Sequence, residues 1–125
     1  MEMPKPNPDV LSKKDRIVSR LQDALQNGAV IHDEAETRAY ECDALSAYRC
    51  PPLCAVLPSS TEEVSAILRI CHEEGVPVVP RGSGTSLAGG ALPTADAVIL
   101  GVARLNSVLE SDYPNRFIQI GRAHV

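Results

Sequence analysis

The sequence predicts an α+β domain built on a βαβ unit with an N-terminal helical cap, and three adjoining segments carry that expectation. Leu53-Cys-Ala-Val-Leu57 is an uninterrupted apolar run stopped by Pro58, as in a short strand buried on both faces. Ser60 and Glu63 stand at capping-box spacing, Val64, Ile67, Leu68 and Cys71 share one helical face, and Gly75 follows where a left-handed terminator is usual. Val76 to Val79 is a second apolar run. A strand, a crossover helix and a strand in so short a stretch make the two strands parallel and the crossover right-handed.

The flanking elements follow from the same kind of signal. Pro4, Pro6 and Pro8 punctuate the start, so residues 1–13 are expected to be an extended, disordered tail. From Asp15, the apolar positions Ile17, Leu21, Ala24 and Leu25 recur at helical spacing until Asn27-Gly28 supplies a stop. That helix opens a cap over residues 14–49, in which Asp33 to Tyr40 reads as a further short helix and Asp43 to Pro52 as irregular chain because of Pro51 and Pro52. Beyond the βαβ unit, Ala97 to Leu100 is a third strand, with Val108-Leu109 and Phe117-Ile118 as weaker ones.

Between the second and third strands lies Pro80-Arg-Gly-Ser-Gly-Thr-Ser-Leu-Ala-Gly-Gly-Ala-Leu92. Glycine is favoured where φ must be positive or where main chain must touch a ligand, and Gly82, Gly84, Gly89 and Gly90 are too closely grouped for a simple surface turn. Successive N–H groups in such a loop face one concavity and form a nest for an anion. Arg81 and the hydroxyls of Ser83, Thr85 and Ser86 stand at its rim. The loop leaves the C-terminal end of a strand, where ligands bind in open α/β sheets. A phosphate is the expected ligand. The loop is not a P-loop, because no lysine occurs after Lys14, and it lacks the dinucleotide fingerprint, because Leu87 stands where the third glycine belongs.

Composition narrows the partners. The 125-residue chain has 12 basic and 16 acidic residues, a net charge of -4, and no basic stripe of the kind that phosphate contacts to nucleic acid require. No stretch has the length of a transmembrane segment and Met1 to Pro8 has no signal-peptide core, so the default location is the cytoplasm. Cys42, Cys50, Cys54 and Cys71 have no paired metal-ligand spacing: Cys50 and Cys54 are separated by three residues, and His72 beside Cys71 adds no second pair. No metal is expected. Cys71 reads as a small core hydrophobe and the others as free thiols. His32 and His124 read as surface residues, and Tyr48, Arg49 and Tyr113 are more simply packing or surface residues than ligand contacts.

The glycine loop, together with the helix entry Leu57-Pro-Ser-Ser-Thr-Glu-Glu-Val64, resembles the start of the PCMH-type FAD-binding domain of the vanillyl-alcohol oxidase superfamily. Tyr40-Glu-Cys-Asp-Ala-Leu-Ser-Ala-Tyr-Arg49 and Val78-Val-Pro-Arg-Gly-Ser-Gly-Thr85 resemble, more narrowly, the flavin subunit of bacterial glycolate oxidase and other FAD-linked 2-hydroxy-acid dehydrogenases. The resemblance runs from the first helix to about Arg116. It implies that residues 50–119 are the N-terminal part of an FAD-binding domain. In it, Arg81, Gly82, Ser83, Gly84, Thr85 and Ser86 would surround the pyrophosphate, with Gly89 and Gly90 close to the cofactor. Relatives that attach FAD covalently through this loop use a histidine near the position of Thr85, so non-covalent FAD is implied.

The reaction implied is hydride transfer from a small 2-hydroxy acid such as glycolate or lactate to the flavin, giving the 2-oxo acid. Iron-sulfur and further FAD-containing subunits are the implied partners, through which the enzyme would lie peripheral to the inner membrane. Two other readings stay open: a stand-alone phosphate- or nucleotide-binding module without chemistry, and another flavoenzyme of the superfamily with the same loop. The substrate domain of the family has no counterpart in the chain, so catalytic residues are unknown and the chain is expected to be a fragment, inactive alone. Ile120-Gly-Arg-Ala-His-Val125 does not continue the family pattern and matches the translation of a common sequencing-adapter oligonucleotide, so residues 120–125 are expected to be a non-native tail.

Overall fold

The computed structural model describes residues 3–120. The chain begins with α1 (Pro8–Ser12), α2 (Lys14–Ala24), β1 (Ala29–Ile31), α3 (Glu34–Thr37) and a 3-10 turn over Arg38–Tyr40. There follow β2 (Cys54–Leu57), α4 (Thr61–Glu74), β3 (Val78–Arg81), β4 (Val98–Gly101), β5 (Val108–Asp112) and β6 (Phe117–Ile120). The architecture is α+β, as the sequence predicts.

The main sheet has the order β1-β2-β4-β3. β2 and β3 are both parallel to β4, with Ala55 and Val79 each opposite Ile99. The two strands of the predicted βαβ unit therefore run the same way, but β4 is inserted between them. β4 (Val-Ile-Leu-Gly) is buried along its whole length, as suits a strand flanked on both sides, where both faces leave water. The third apolar run expected at Ala97 to Leu100 is that strand, displaced by one residue.

The helices cover the sheet. Ile17 and Leu21 of α2, Ile67 and Cys71 of α4, and Val56 and Val98 of the sheet form one core, each 1% exposed or less. The segment read as a cap is thus part of the core: α2 packs against α4, and β1 joins the sheet antiparallel to β2, with Val30 opposite Val56. Glu74, buried on α4, accepts a hydrogen bond from Arg20 at 2.6 Å and pairs with Arg16 at 3.0 Å, which ties the two helices together. The two guanidinium groups hold the Glu74 carboxyl below its usual value, the Arg20 hydrogen bond contributing most.

Helix α4 starts as its capping signal predicts, with one change of partner. Ser60 Oγ accepts from Glu63 N, but the Glu63 carboxylate turns to Ser59 rather than to Ser60. It accepts from Ser59 N at 2.7 Å and Ser59 Oγ at 3.0 Å, and from Gln26 N and Asn27 N at 3.0 Å each. Those donors, the Ser59 N–H foremost, bring the Glu63 carboxyl down to about 2. One carboxylate therefore joins the α2–β1 turn to the start of α4. At the other end Gly75 adopts φ 67°, and Val76 N donates to Cys71 O to close a Schellman-type end.

Several expectations are corrected. Residues 8–12 form a helix where a disordered tail is predicted: Asn7 caps it, Pro8 occupies the first turn, and Val10 is 2% exposed. Proline at a first helical position is a start signal as much as a breaker, and Asn7 N donating to Asp96 Oδ2 at 2.9 Å anchors the segment to distant chain. The sequence predicts no strand at Ala29–Ile31, where β1 forms by pairing with β2. Leu68 is 46% exposed rather than on the packed face of α4. β3 runs two residues later than Val76 to Val79, because its register is set by β4. The weak strands are real and pair with each other as an antiparallel hairpin, β5 with β6. β6 continues through Ile120, the first residue of the expected tail, and residues 121–125 lie outside the described residues, as does His124.

Candidate functional site

The glycine loop leaves the C-terminal end of β3 at Arg81 and returns through Ala91 to Pro93, which are buried at the edge of the core. Its turns depend on glycine at two positions: Gly84 has φ 74° and Gly89 has φ 79°. Gly90 is constrained differently, since a Cβ there would lie 3.1 Å from Ser86 Oγ. Gly82 has open space on the side where a Cβ would project.

The predicted residues divide by what they do. Ser86 Oγ accepts from Gly90 N at 3.1 Å and Ala88 N at 3.4 Å, so this hydroxyl folds the second half of the loop. Ser83 and Thr85 are exposed on the first half. Among the described residues, no main-chain hydrogen bond uses the N–H of Gly84, Thr85 or Leu87, and these donors remain for an anion.

Arg81 lies beneath the loop rather than at its rim. Its Nη1 donates to Cys42 O at 2.7 Å and its guanidinium stands 5.6 Å from the centre of the Tyr40 ring. A Cβ on Gly84 would come within 2.3 Å of Arg81 Nη2, so the loop bends directly over this side chain. A second tie runs from Ala44 N to Ser86 O at 3.1 Å. The segment from Tyr40 to Ala44 is thereby held to the loop at both ends.

Sequence reasoning assigned no role to Tyr40, Cys42 or Asp43. The signal was present, because all three stand in the Tyr40-to-Arg49 stretch that carries the narrower resemblance, but no local pattern shows that this stretch meets the loop. Asp43 is 6% exposed; its Oδ1 accepts from Leu45 N at 2.9 Å and its Oδ2 has no hydrogen-bond partner among the described residues. Tyr113 is 87% exposed at the hairpin turn, and Arg49 forms an exposed pair with Glu41 at 3.2 Å. Burial pushes the Cys54 thiol up to about 12 and the Cys71 thiol up to about 11, so both are inert core groups. Among the described residues no group of His, Cys, Asp and Glu side chains is arranged to hold a metal ion. No described helix is long and apolar enough to cross a membrane.

The model of the FAD binding domain family matches residues 52–123, more than half of the chain, and includes the whole glycine loop. The chain belongs to this family. Glycolate oxidase subunit GlcD of Escherichia coli (strain K12) is 45% identical to this FAD-binding domain over 103 residues, which cover 82% of the chain and 20% of that protein. The mitochondrial D-2-hydroxyglutarate dehydrogenase of Arabidopsis thaliana is 33% identical over 106 residues, covering 85% of the chain and 19% of that protein. The chain thus spans about one fifth of the length of these relatives. Among solved structures, p-cresol methylhydroxylase with substrate bound superposes with a TM-score of 0.68 at 21% identity, over 81% of this chain and 20% of that one. The fold is accordingly that of a PCMH-type FAD-binding domain.

The residues present suit the group that defines the family. Left-handed glycines, unused N–H donors and an exposed position at the end of a parallel strand are what a pyrophosphate requires.

Proposed function

We propose that this chain is the pyrophosphate-binding part of a flavoenzyme that oxidises a small 2-hydroxy acid, such as glycolate or lactate, to the 2-oxo acid. The observation that carries the reading is the loop over Arg81, with left-handed Gly84 and Gly89 and, among the described residues, no main-chain hydrogen bond at the N–H groups of Gly84, Thr85 and Leu87. The first half of the loop, Gly82, Ser83, Gly84, Thr85 and Ser86, would wrap the pyrophosphate, and Gly89 and Gly90 would let main chain approach the cofactor. Arg81 would supply positive charge from below while holding the loop to Cys42. Bound FAD would supply the hydride acceptor, and the protein would position it.

The FAD would be held without a covalent bond, since neither histidine nor cysteine occurs between Pro80 and Leu92. The substrate class is supported by the relatives, whose names specify glycolate and D-2-hydroxyglutarate. The bacterial relative is a subunit of glycolate oxidase, which supports work inside a multi-subunit oxidase. Iron-sulfur and further flavin subunits as partners, and through them a position peripheral to the inner membrane, would follow from the family resemblance alone. The acid-binding groups and the catalytic base would come from chain outside this one fifth.

Flavin fluorescence quenching with the purified chain, beside Gly84→Val, tests the reading. FAD binding that is lost in the variant is the expected result. Equal affinity in both would remove the loop from the cofactor site.

A further inference from the structure

We propose that Asp43 is a further cofactor-binding residue, whose Oδ2 accepts a hydrogen bond from a sugar hydroxyl flanking the pyrophosphate. This rests on the loop being an FAD pyrophosphate site. Asp43 stands in the segment tied to the loop on both sides of it, by Cys42 O to Arg81 Nη1 and by Ala44 N to Ser86 O. At 6% exposure it is buried, one oxygen is used by Leu45 N, and the other has no partner among the described residues. A buried acceptor without a donor is costly, and native structures rarely keep one without use.

The chemistry of the missing donor follows from charge. A phosphate oxygen beside this carboxylate would be repelled, whereas a hydroxyl donates to it through a charge-assisted bond. In FAD the pyrophosphate is flanked by hydroxylated groups on both sides, the ribityl chain and the ribose. An acidic side chain on a sugar hydroxyl next to a glycine-rich pyrophosphate loop is the arrangement that dinucleotide-binding folds also use. Here the acid comes from chain preceding the loop, between Cys42 and Ala44, which are tied to Arg81 and Ser86.

The test is Asp43→Asn in the full chain, with FAD affinity and the melting temperature without FAD measured together. Asparagine keeps an acceptor for Leu45 N and removes the unpaired buried charge. The expected result is FAD affinity at least about tenfold weaker with a melting temperature equal to or above that of the wild type. A purely structural role would lower the melting temperature and affinity together, and that outcome, or unchanged affinity, overturns the inference while leaving the loop reading intact. A wild-type chain that fails to bind FAD overturns both.

Discussion

Arg81 and Gly84 compete for one volume: a Cβ on Gly84 would sit 2.3 Å from Arg81 Nη2 and 2.6 Å from Cζ, on a backbone whose φ is already 74°. The bare glycine lets the loop close over the guanidinium, and the guanidinium in turn carries the loop to Cys42 and Tyr40. Loop shape and the placement of the preceding segment are therefore one structural fact.

Gly84→Ala is expected to destabilise the chain by about 1–2 kcal/mol, from left-handed backbone strain with the displacement of Arg81 added to it. Gly82→Ala, with open space and no positive φ, is expected to cost less. Urea unfolding of the two variants side by side checks this, and equal losses would contradict the geometry.

Replacing Arg81 by Met removes the donor to Cys42 O and the cation above Tyr40. The amide of Ala44, which donates to Ser86 O across the same joint, is then expected to exchange with solvent at least tenfold faster. Unchanged exchange at Ala44 would show that the segment is held to the loop without Arg81.

Glu63 gives the fold an acid limb. Its carboxyl titrates at about 2 in the folded chain against an ordinary 4.5, so the unfolded chain takes up the proton first as pH falls. The stabilisation is complete above about pH 4.5 and is lost as pH falls toward 2. Glu63→Gln is expected to lower stability at pH 7 by roughly 1–3 kcal/mol and to flatten this limb. Chemical denaturation at pH 7, 4 and 3 reads both, and an undiminished limb in the variant would place the titration elsewhere.

The hairpin leaves apolar surface uncovered. Val108, Leu109 and Ile118 are each 61% exposed, and among the described residues β5 and β6 pair only with each other. A two-stranded sheet with open edges is marginal in water, so the isolated chain is expected to self-associate, and Leu109→Lys with Ile118→Lys to reduce that. Light scattering after size exclusion measures it; a monomeric wild-type chain at high concentration would show that the hairpin tolerates exposure.

The elements that were legible are those whose signals are local. The capping serine before α4, Gly75 after it and the apolar run of β2 lie within a few residues of the structure they determine. The loop was legible for the same reason, since a cluster of glycines marks backbone that must turn sharply. α1 and β1 were missed because their stability is not local. Val10 is buried by distant chain, Asn7 is anchored by Asp96, and the three residues of β1 become a strand by pairing with β2.

The sequence by itself determined the class of domain, the start and end of its main helix and the loop suited to a phosphate, each from residues that act on their own neighbourhood. Only the tertiary structure decided that β4 lies between β2 and β3, that Arg81 reaches Cys42, and that Ala44 is tied to the loop at Ser86. Those depend on strand order and on contacts between positions about 40 residues apart, which no period or spacing along the chain encodes.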